Sequence, residues 1–183
     1  MKNVQVAFDI RGHDDKPPPC FQYISCHLIF DVKLDGTRKA RFVAGGHLTD
    51  TPSLITYSTV VSRDSIRILL LMAALNGLDV MSCDIQNAYL NAKPREKVCF
   101  TAGDEFGLRK GSLVIIVRAL YGLKSSGAAF RFKLAQDLRE LGFRSSIGDP
   151  DVWMKARSKP NGEAYWEYLL VYVDYILCIS MNE

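Results

Sequence analysis

The sequence predicts an α+β domain with a mostly antiparallel sheet covered by helices on one face. Three observations carry this. Short runs rich in β-branched and aromatic residues, such as 113–117 and 168–173, read as strands. Two longer segments, opening at Ser62 and Ser126, place their apolar residues at helical spacing. Strands and helices are interspersed with hairpin signals, without regular βαβ alternation, and that pattern favours the α+β class.

The 183 residues suffice for one domain or little more, with a core of real size. At 48% apolar and 23% charged, the composition is that of an ordinary globular protein. A net charge of +3 permits a nucleic-acid partner without demanding one. The five cysteines form no CxxC pair, and Cys83 and Cys178 sit in apolar runs. Reduced, buried thiols in an intracellular protein are expected, rather than a zinc site or a disulfide frame. The longest apolar run, 68–75, is far short of the roughly 20 residues of a membrane span, and the first residues lack a signal-peptide core.

Residues 1–26 carry Asp14-Asp15 and Pro17-Pro18-Pro19 without sustained periodicity and read as a leader or linker. The structured domain is expected over 27–183. Leu28, Phe30, Val32 and Leu34 alternate with His27, Ile29, Asp31 and Lys33, the period of a strand. Asp35-Gly36 is the strongest short hairpin signal in the chain, and 37–44 is the return strand. There Lys39 and Arg41 share one face, and Ala40 and Phe42 the other. Two readings of the basic pair stay open: a solvated strand face, or a cationic clamp for phosphate.

Gly45-Gly46 ends the hairpin and 47–61 is a polar connection. Ser62 caps a helix in which Ile66, Leu69, Leu70, Ala73 and Ala74 form one face. Asp64 suits its positive end, and Asn76-Gly77 stops it. Residues 78–83 read as a strand leading straight into Asp84, and 85–91 turn into a short helix. Taken alone, an aspartate there is more often a turn or cap residue than a metal ligand. After the strand at 113–117, Ser126 opens a helix with Phe130, Leu134, Leu138 and Leu141 as its stripe and Gly142 as its stop. Asp149-Pro150-Asp151 breaks the chain before a strand at 152–155, and 159–162 turn it into the last hairpin. Its apolar runs, 168–173 and 176–179, leave Asp174 and Tyr175 as the two turn residues. Tyr is a poor turn former, so a carboxylate at the tip of this apolar hairpin asks for a reason. Asp84 and Asp174 both end apolar strands and are expected side by side.

Five stretches, in this order, resemble the reverse transcriptase domain of copia-type LTR retrotransposons. They are Lys39-Ala40-Arg41-Phe42-Val43-Ala44, Cys83-Asp84-Ile85-Gln86-Asn87-Ala88-Tyr89-Leu90-Asn91, Ala119-Leu120-Tyr121-Gly122-Leu123-Lys124-Ser125, Gly148-Asp149-Pro150-Asp151 and Leu170-Val171-Tyr172-Val173-Asp174. The resemblance covers 27–183 and implies a fingers–palm polymerase core, with the Asp35-Gly36 hairpin in the fingers and Asp84 and the last hairpin in the palm. It implies RNA-directed DNA synthesis within a Pol polyprotein, with Mg2+ or Mn2+ as cofactor. In-line phosphoryl transfer is catalysed by two divalent ions roughly 4 Å apart, and such hard ions take carboxylate oxygens. By resemblance, Asp84 and Asp174 are catalytic metal ligands. Lys39 and Arg41 hold the triphosphate, Tyr89 packs under the incoming sugar, and Gly122 belongs to the loop against the template–nucleotide pair. The implied partners are an RNA or DNA template with its primer, deoxynucleoside triphosphates, and the rest of the polyprotein including ribonuclease H. No membrane is implied, and the implied location is the cytoplasm, in a virus-like particle where the element is active.

The departures from the family pattern are specific. The last hairpin usually reads Tyr-x-Asp-Asp, and here Tyr175 takes the final position. A neutral phenol is a weak ligand for magnesium. Gly45 stands where lysine is usual, and Phe130 where tryptophan is. The chain reaches Glu183 without a thumb, so a partial domain is expected. A catalytically impaired remnant, with residual nucleic-acid binding or no function, is the alternative reading.

Overall fold

The computed structural model describes residues 7–50 and 56–181, so residues 51–55 of the expected polar connection lie outside the described residues. In chain order the elements begin with β1 (Phe8–Ile10), β2 (Gln22–Tyr23), β3 (Cys26–Val32), β4 (Arg38–Ala44), α1 (Arg63–Asn76) and β5 (Asp79–Asp84). They continue with β6 (Val98–Thr101), β7 (Leu113–Ile116), α2 (Ser126–Glu140), β8 (Arg144–Ser145), β9 (Val152–Ser158), β10 (Ala164–Tyr172) and β11 (Tyr175–Ser180). Mixed sheets with a few helices agree with the α+β class. The chain divides into two compact units, Met1–Tyr57 with Tyr89–Phe130, and Ser58–Ala88 with Arg131–Glu183.

The first unit holds a four-stranded sheet in the order β1-β7-β6-β2 and the separate β3–β4 hairpin. Phe8, Phe42, Phe100 and Phe106 make all six possible ring contacts, at centroid distances of 5.5–5.9 Å. Such pairs contribute about 0.5–1.5 kcal/mol each beyond the area they bury. Phe8 and Ile24 are buried, and β1 and β2 belong to this sheet, although both lie in the stretch expected as leader or linker. A strand of two or three residues is too short to show a period, so only its tertiary pairing defines it. The four-residue β6, fully buried over Val98–Phe100, escaped sequence reading for the same reason. At the β3–β4 turn, Gly36 N donates to Lys33 O at 2.9 Å and Lys33 N to Thr37 O at 3.0 Å, with Gly36 at φ 79. The loop is therefore three residues with a left-handed glycine, rather than a two-residue turn.

The second unit holds an antiparallel five-stranded sheet in the order β5-β11-β10-β9-β8. Leu170 faces Val152 on one side and Leu177 on the other, so these residues share a face, and Ile66, Leu69 and Ala73 of α1 pack there. Leu170 and Ile179 are essentially inaccessible, and burying such a side chain stabilises by about 1.5–3 kcal/mol. Trp153 points to the opposite face, where Arg139 of α2 stacks 5.4 Å from its ring centroid. Helices thus lie on both faces, not one. Ser62 Oγ accepts from Ser65 N at 3.1 Å, and Gly77 takes a left-handed C-cap at φ 61, as the cap residues predict for α1. Its buried stripe is narrower than expected, however, with Leu70 and Ala74 exposed. All six residues of β5 are exposed because β5 is the sheet's edge, so Cys83 is not the buried thiol that its apolar neighbours suggested. No helix among the described residues is long and apolar enough to cross a membrane.

Candidate active site

The edge strand β5 pairs with β11 so that Asp84 lies directly opposite Tyr175. One residue further, Ile85 N donates to Asp174 O at 2.8 Å. The backbones of Asp84 and Asp174 are therefore neighbours at one end of the sheet. The β10–β11 ladder closes on the pair Tyr172 and Tyr175, leaving Val173 and Asp174 as the turn. This corrects the expectation that Asp174 and Tyr175 make the turn: Tyr175 is the first residue of β11. Val173 holds φ 57, a conformation costing a side-chain-bearing residue roughly 1–2 kcal/mol. The five-pair ladder behind it keeps the turn in place.

Directly opposed residues of an antiparallel pair share a face, so Tyr172, Tyr175 and Asp84 form a row across β10, β11 and β5. Both tyrosines are more than half exposed. They border a cavity of about 110 Å³ with Val61, Ile66, Leu170 and Leu177. It is too small and too apolar for a nucleoside triphosphate. The two aspartates carry the hard oxygen donors a divalent cation prefers. Among the described residues, no group of three or more His, Cys, Asp or Glu is placed to hold one ion. The carboxylate oxygens fit magnesium in donor type, and Tyr175 presents a phenol directly opposite Asp84.

Apart from its place among the resembling stretches, Asp149-Pro150-Asp151 reads in sequence as a chain break, yet these residues brace the hairpin. Asp149 accepts from Ser62 N at 2.9 Å, Ser65 Oγ at 2.7 Å and Asp151 N at 3.1 Å. Burial alone would raise its carboxyl, but these donors hold it below the ordinary value. Asp151 is buried and takes both Nε and Nη2 of Arg131 at 2.8 Å. Its backbone carbonyl accepts from Val171 N at 2.9 Å, and Val171 O accepts from Val61 N at 3.0 Å. The first turn of α1, the Arg131 side chain of α2 and β10, the strand leading to Asp174, are thereby fixed to one loop. A buried ion pair with backbone partners has no pattern in sequence that separates it from a turn.

In the first unit, Lys39 and Arg41 lie on one face of β4, and Phe42 turns into the aromatic core behind them. Lys39 is directly opposite Asp31, and Arg41 Nη1 lies 3.5 Å from Asp31 Oδ2. Any anion bound there must displace or share that carboxylate. The next turn of the strand receives the loop around Gly122: Val43 bridges Tyr121, and Ala44 N donates to Tyr121 O at 2.8 Å. Gly122 has φ 93, and a Cβ there would overlap the Ala44 carbonyl oxygen and approach Val43 Cγ1 to 2.9 Å. Glycine is required twice over at this position. The loop's far end is tied by buried Glu96, which accepts from Ser125 N at 2.7 Å and also from the Ser125 hydroxyl. Tyr89 packs against Tyr121 at 4.8 Å with the rings tilted by 57°, and meets Phe130 edge-on at 6.2 Å. At Gly45, a Cβ would sit 2.9 Å from Ser25 O and Oγ, so this backbone favours glycine over the lysine usual there.

The structure thus gathers Asp84, Asp174 and Tyr175 at one sheet end of the second unit. In the first unit it brings Gly122 and Tyr89 to the β4–Tyr121 junction, while Lys39 and Arg41 lie further along β4 beside Asp31. A family model described as reverse transcriptase (RNA-dependent DNA polymerase) matches residues 14–183. The Retrovirus-related Pol polyproteins from transposons RE2 and RE1 of Arabidopsis thaliana are each 32% identical over 171 residues, covering 88% of this chain and 11% of theirs. The Transposon Ty1-NL1 Gag-Pol polyprotein of Saccharomyces cerevisiae is 34% identical over 120 residues, 64% of this chain and 7% of that protein. No solved structure matches the chain. It spans about a tenth of the length of the plant relatives. The chain belongs to the reverse transcriptase family, as a reverse transcriptase domain of the copia-type retrotransposon Pol polyproteins.

Proposed function

We propose that the chain is the fingers and palm of an RNA-directed DNA polymerase, with catalysis impaired by Tyr175. The observation that carries this reading is the register placing Asp84 opposite Tyr175, with Ile85 bonded to Asp174. In this reading Asp84 and Asp174 hold Mg2+ or Mn2+. The bound ions would stabilise the charge that develops when a primer 3′-hydroxyl displaces pyrophosphate. Lys39 and Arg41 hold the triphosphate through charge-assisted hydrogen bonds, after parting Arg41 from Asp31. Tyr89, fixed by Tyr121 and Phe130, packs under the incoming sugar, and the Gly122 loop lies against the template–nucleotide pair. The substrates are deoxynucleoside triphosphates on an RNA or DNA template with its primer. The rest of the polyprotein supplies the thumb and ribonuclease H. The site of action is the cytoplasm, within a particle where the element is active.

The impairment follows from donor chemistry. Tyr175 replaces a carboxylate with a neutral oxygen at a position directly opposite Asp84, and magnesium gains little from it. Tyr175→Asp, in the chain joined to the thumb of a related element, should raise primer extension on a poly(rA) template about 100-fold or more. Adding Asp84→Asn should abolish the gain. Equal activity of wild type and Tyr175→Asp would remove Tyr175 as the lesion, and activity surviving Asp84→Asn would mean that the site lies elsewhere.

A further inference from the structure

One face of the β5–β11 pair carries three sulfur side chains that the polymerase reading leaves unused. Cys178 lies directly opposite Met81, and Cys83, two residues along β5 from Met81, lies opposite Ile176. Opposed residues share a face, as do residues two apart in a strand. Met81, Cys83 and Cys178 therefore project together, away from the face that carries Ser82, Asp84 and Tyr175. Opposed Cα atoms lie about 4.5–5.5 Å apart, and residues two apart in a strand about 7 Å. The three side chains start from the corners of a small triangle. Cys178 is half-buried, with its thiol pushed up by burial first and then by Glu167 and Cys83, so the two thiols sense each other. Cys83 and Met81 are exposed on the edge strand, and both cysteines are free.

The spacing selects the chemistry. Diagonal residues on neighbouring strands have Cα atoms about 7–8 Å apart, beyond the roughly 4.4–6.8 Å that a disulfide accepts. A metal with bonds of about 2.3 Å to sulfur holds two thiolates up to about 4.6 Å apart and spans that gap. Zinc would need further protein ligands; the carboxylates on this face are Asp79, two residues from Met81, and Glu167, which Arg157 Nε engages at 3.0 Å. Two thiolates and a thioether are soft donors, and they select copper(I) over hard cations. We propose that Met81, Cys83 and Cys178 form a three-coordinate site for copper(I) on the face of β5 opposite Asp84. The site stands whether or not the chain polymerises DNA.

The test is anaerobic titration of the full chain, reduced with ascorbate, against the copper(I)–bicinchoninate complex. One equivalent should leave the dye, with near-ultraviolet thiolate-to-copper absorption. Cys83→Ser and Cys178→Ser should each weaken capture at least about tenfold, and Met81→Leu about threefold. Cys20→Ser, at an exposed thiol elsewhere, should leave capture unchanged. Dibromobimane, fluorescent only after alkylation on both arms, should cross-link Cys83 to Cys178 in the unmodified protein, a readout that needs no variant to fold. Failure to withdraw one equivalent, capture surviving the double serine variant, loss of capture in Cys20→Ser, or absence of the bimane cross-link would each overturn the site.

Discussion

Gly122 and Gly36 both hold a left-handed backbone, at φ 93 and φ 79, but in opposite surroundings. A Cβ at Gly36 meets nothing within 4 Å, whereas at Gly122 it overlaps the Ala44 carbonyl oxygen. Gly36→Ala should therefore cost only conformational strain, roughly 1–2 kcal/mol, reduced by about 0.4–1 kcal/mol because alanine restricts the unfolded chain. A net loss near 1 kcal/mol follows. Gly122→Ala carries the same strain and must also push the loop off β4, breaking the 2.8 Å bond from Ala44 N to Tyr121 O. That bond is worth about 0.5–1.5 kcal/mol, so the total comes to about 1.5–2.5 kcal/mol. Urea unfolding followed by far-ultraviolet circular dichroism measures both losses. Amide exchange at Ala44 reports the junction itself, and should accelerate at least about tenfold in Gly122→Ala alone. Trp153 and Trp166 lie in the other unit, so their fluorescence gives a separate reading of that unit. Equal losses in the two variants, with Ala44 exchange unchanged, would refute the reasoning.

Three further outcomes follow from the same geometry. Asp149 has a folded carboxyl below its unfolded value of 3.8, so its contribution is fully present above about pH 4 and is lost as pH falls through the lower folded value; Asp149→Asn should flatten the acid limb of a stability profile run from pH 7 to pH 2. Arg131→Met leaves the Asp151 carboxylate buried without its cation and should destabilise by about 3–5 kcal/mol, read by tryptophan fluorescence, while adding Asp151→Asn should recover part of that loss. Lys39→Ala with Arg41→Ala should weaken binding of a deoxynucleoside triphosphate, and added salt should weaken the wild-type interaction too; unchanged affinity would return the pair to a solvated strand face.

What the sequence made legible is what local chemistry decides. Ser62 and Gly77 bound α1 because capping is settled within one turn of chain. The antiparallel ladder joining Asp84 to the last hairpin followed from two apolar runs that each end in an aspartate. The turn at 173–174 was misplaced by one residue. Local preference argues against a β-branched residue at positive φ, and only the pairing of Tyr172 with Tyr175 outweighs it. β1 and β2 were lost among prolines and charges because strands so short are defined by their partners. The burial of Asp151 and Glu96 was equally hidden, since their partners Arg131 and Ser125 come from α2 and its approach, 20 and 29 residues away. Within the candidate site, the order of the motifs was readable in the sequence. The packing that fixes Tyr89 and Gly122 was not.

In the proposed function, Asp84 and Asp174 form one divalent-cation site that lacks a carboxylate at Tyr175. Manganese binding tests it most directly, measured by loss of the free-ion electron paramagnetic resonance signal in the absence of nucleic acid. Wild type should bind weakly, Tyr175→Asp at least about tenfold more tightly, and Tyr175→Asp with Asp84→Asn no better than wild type. Equal binding by wild type and Tyr175→Asp, or tight binding that persists after Asp84→Asn, would contradict it.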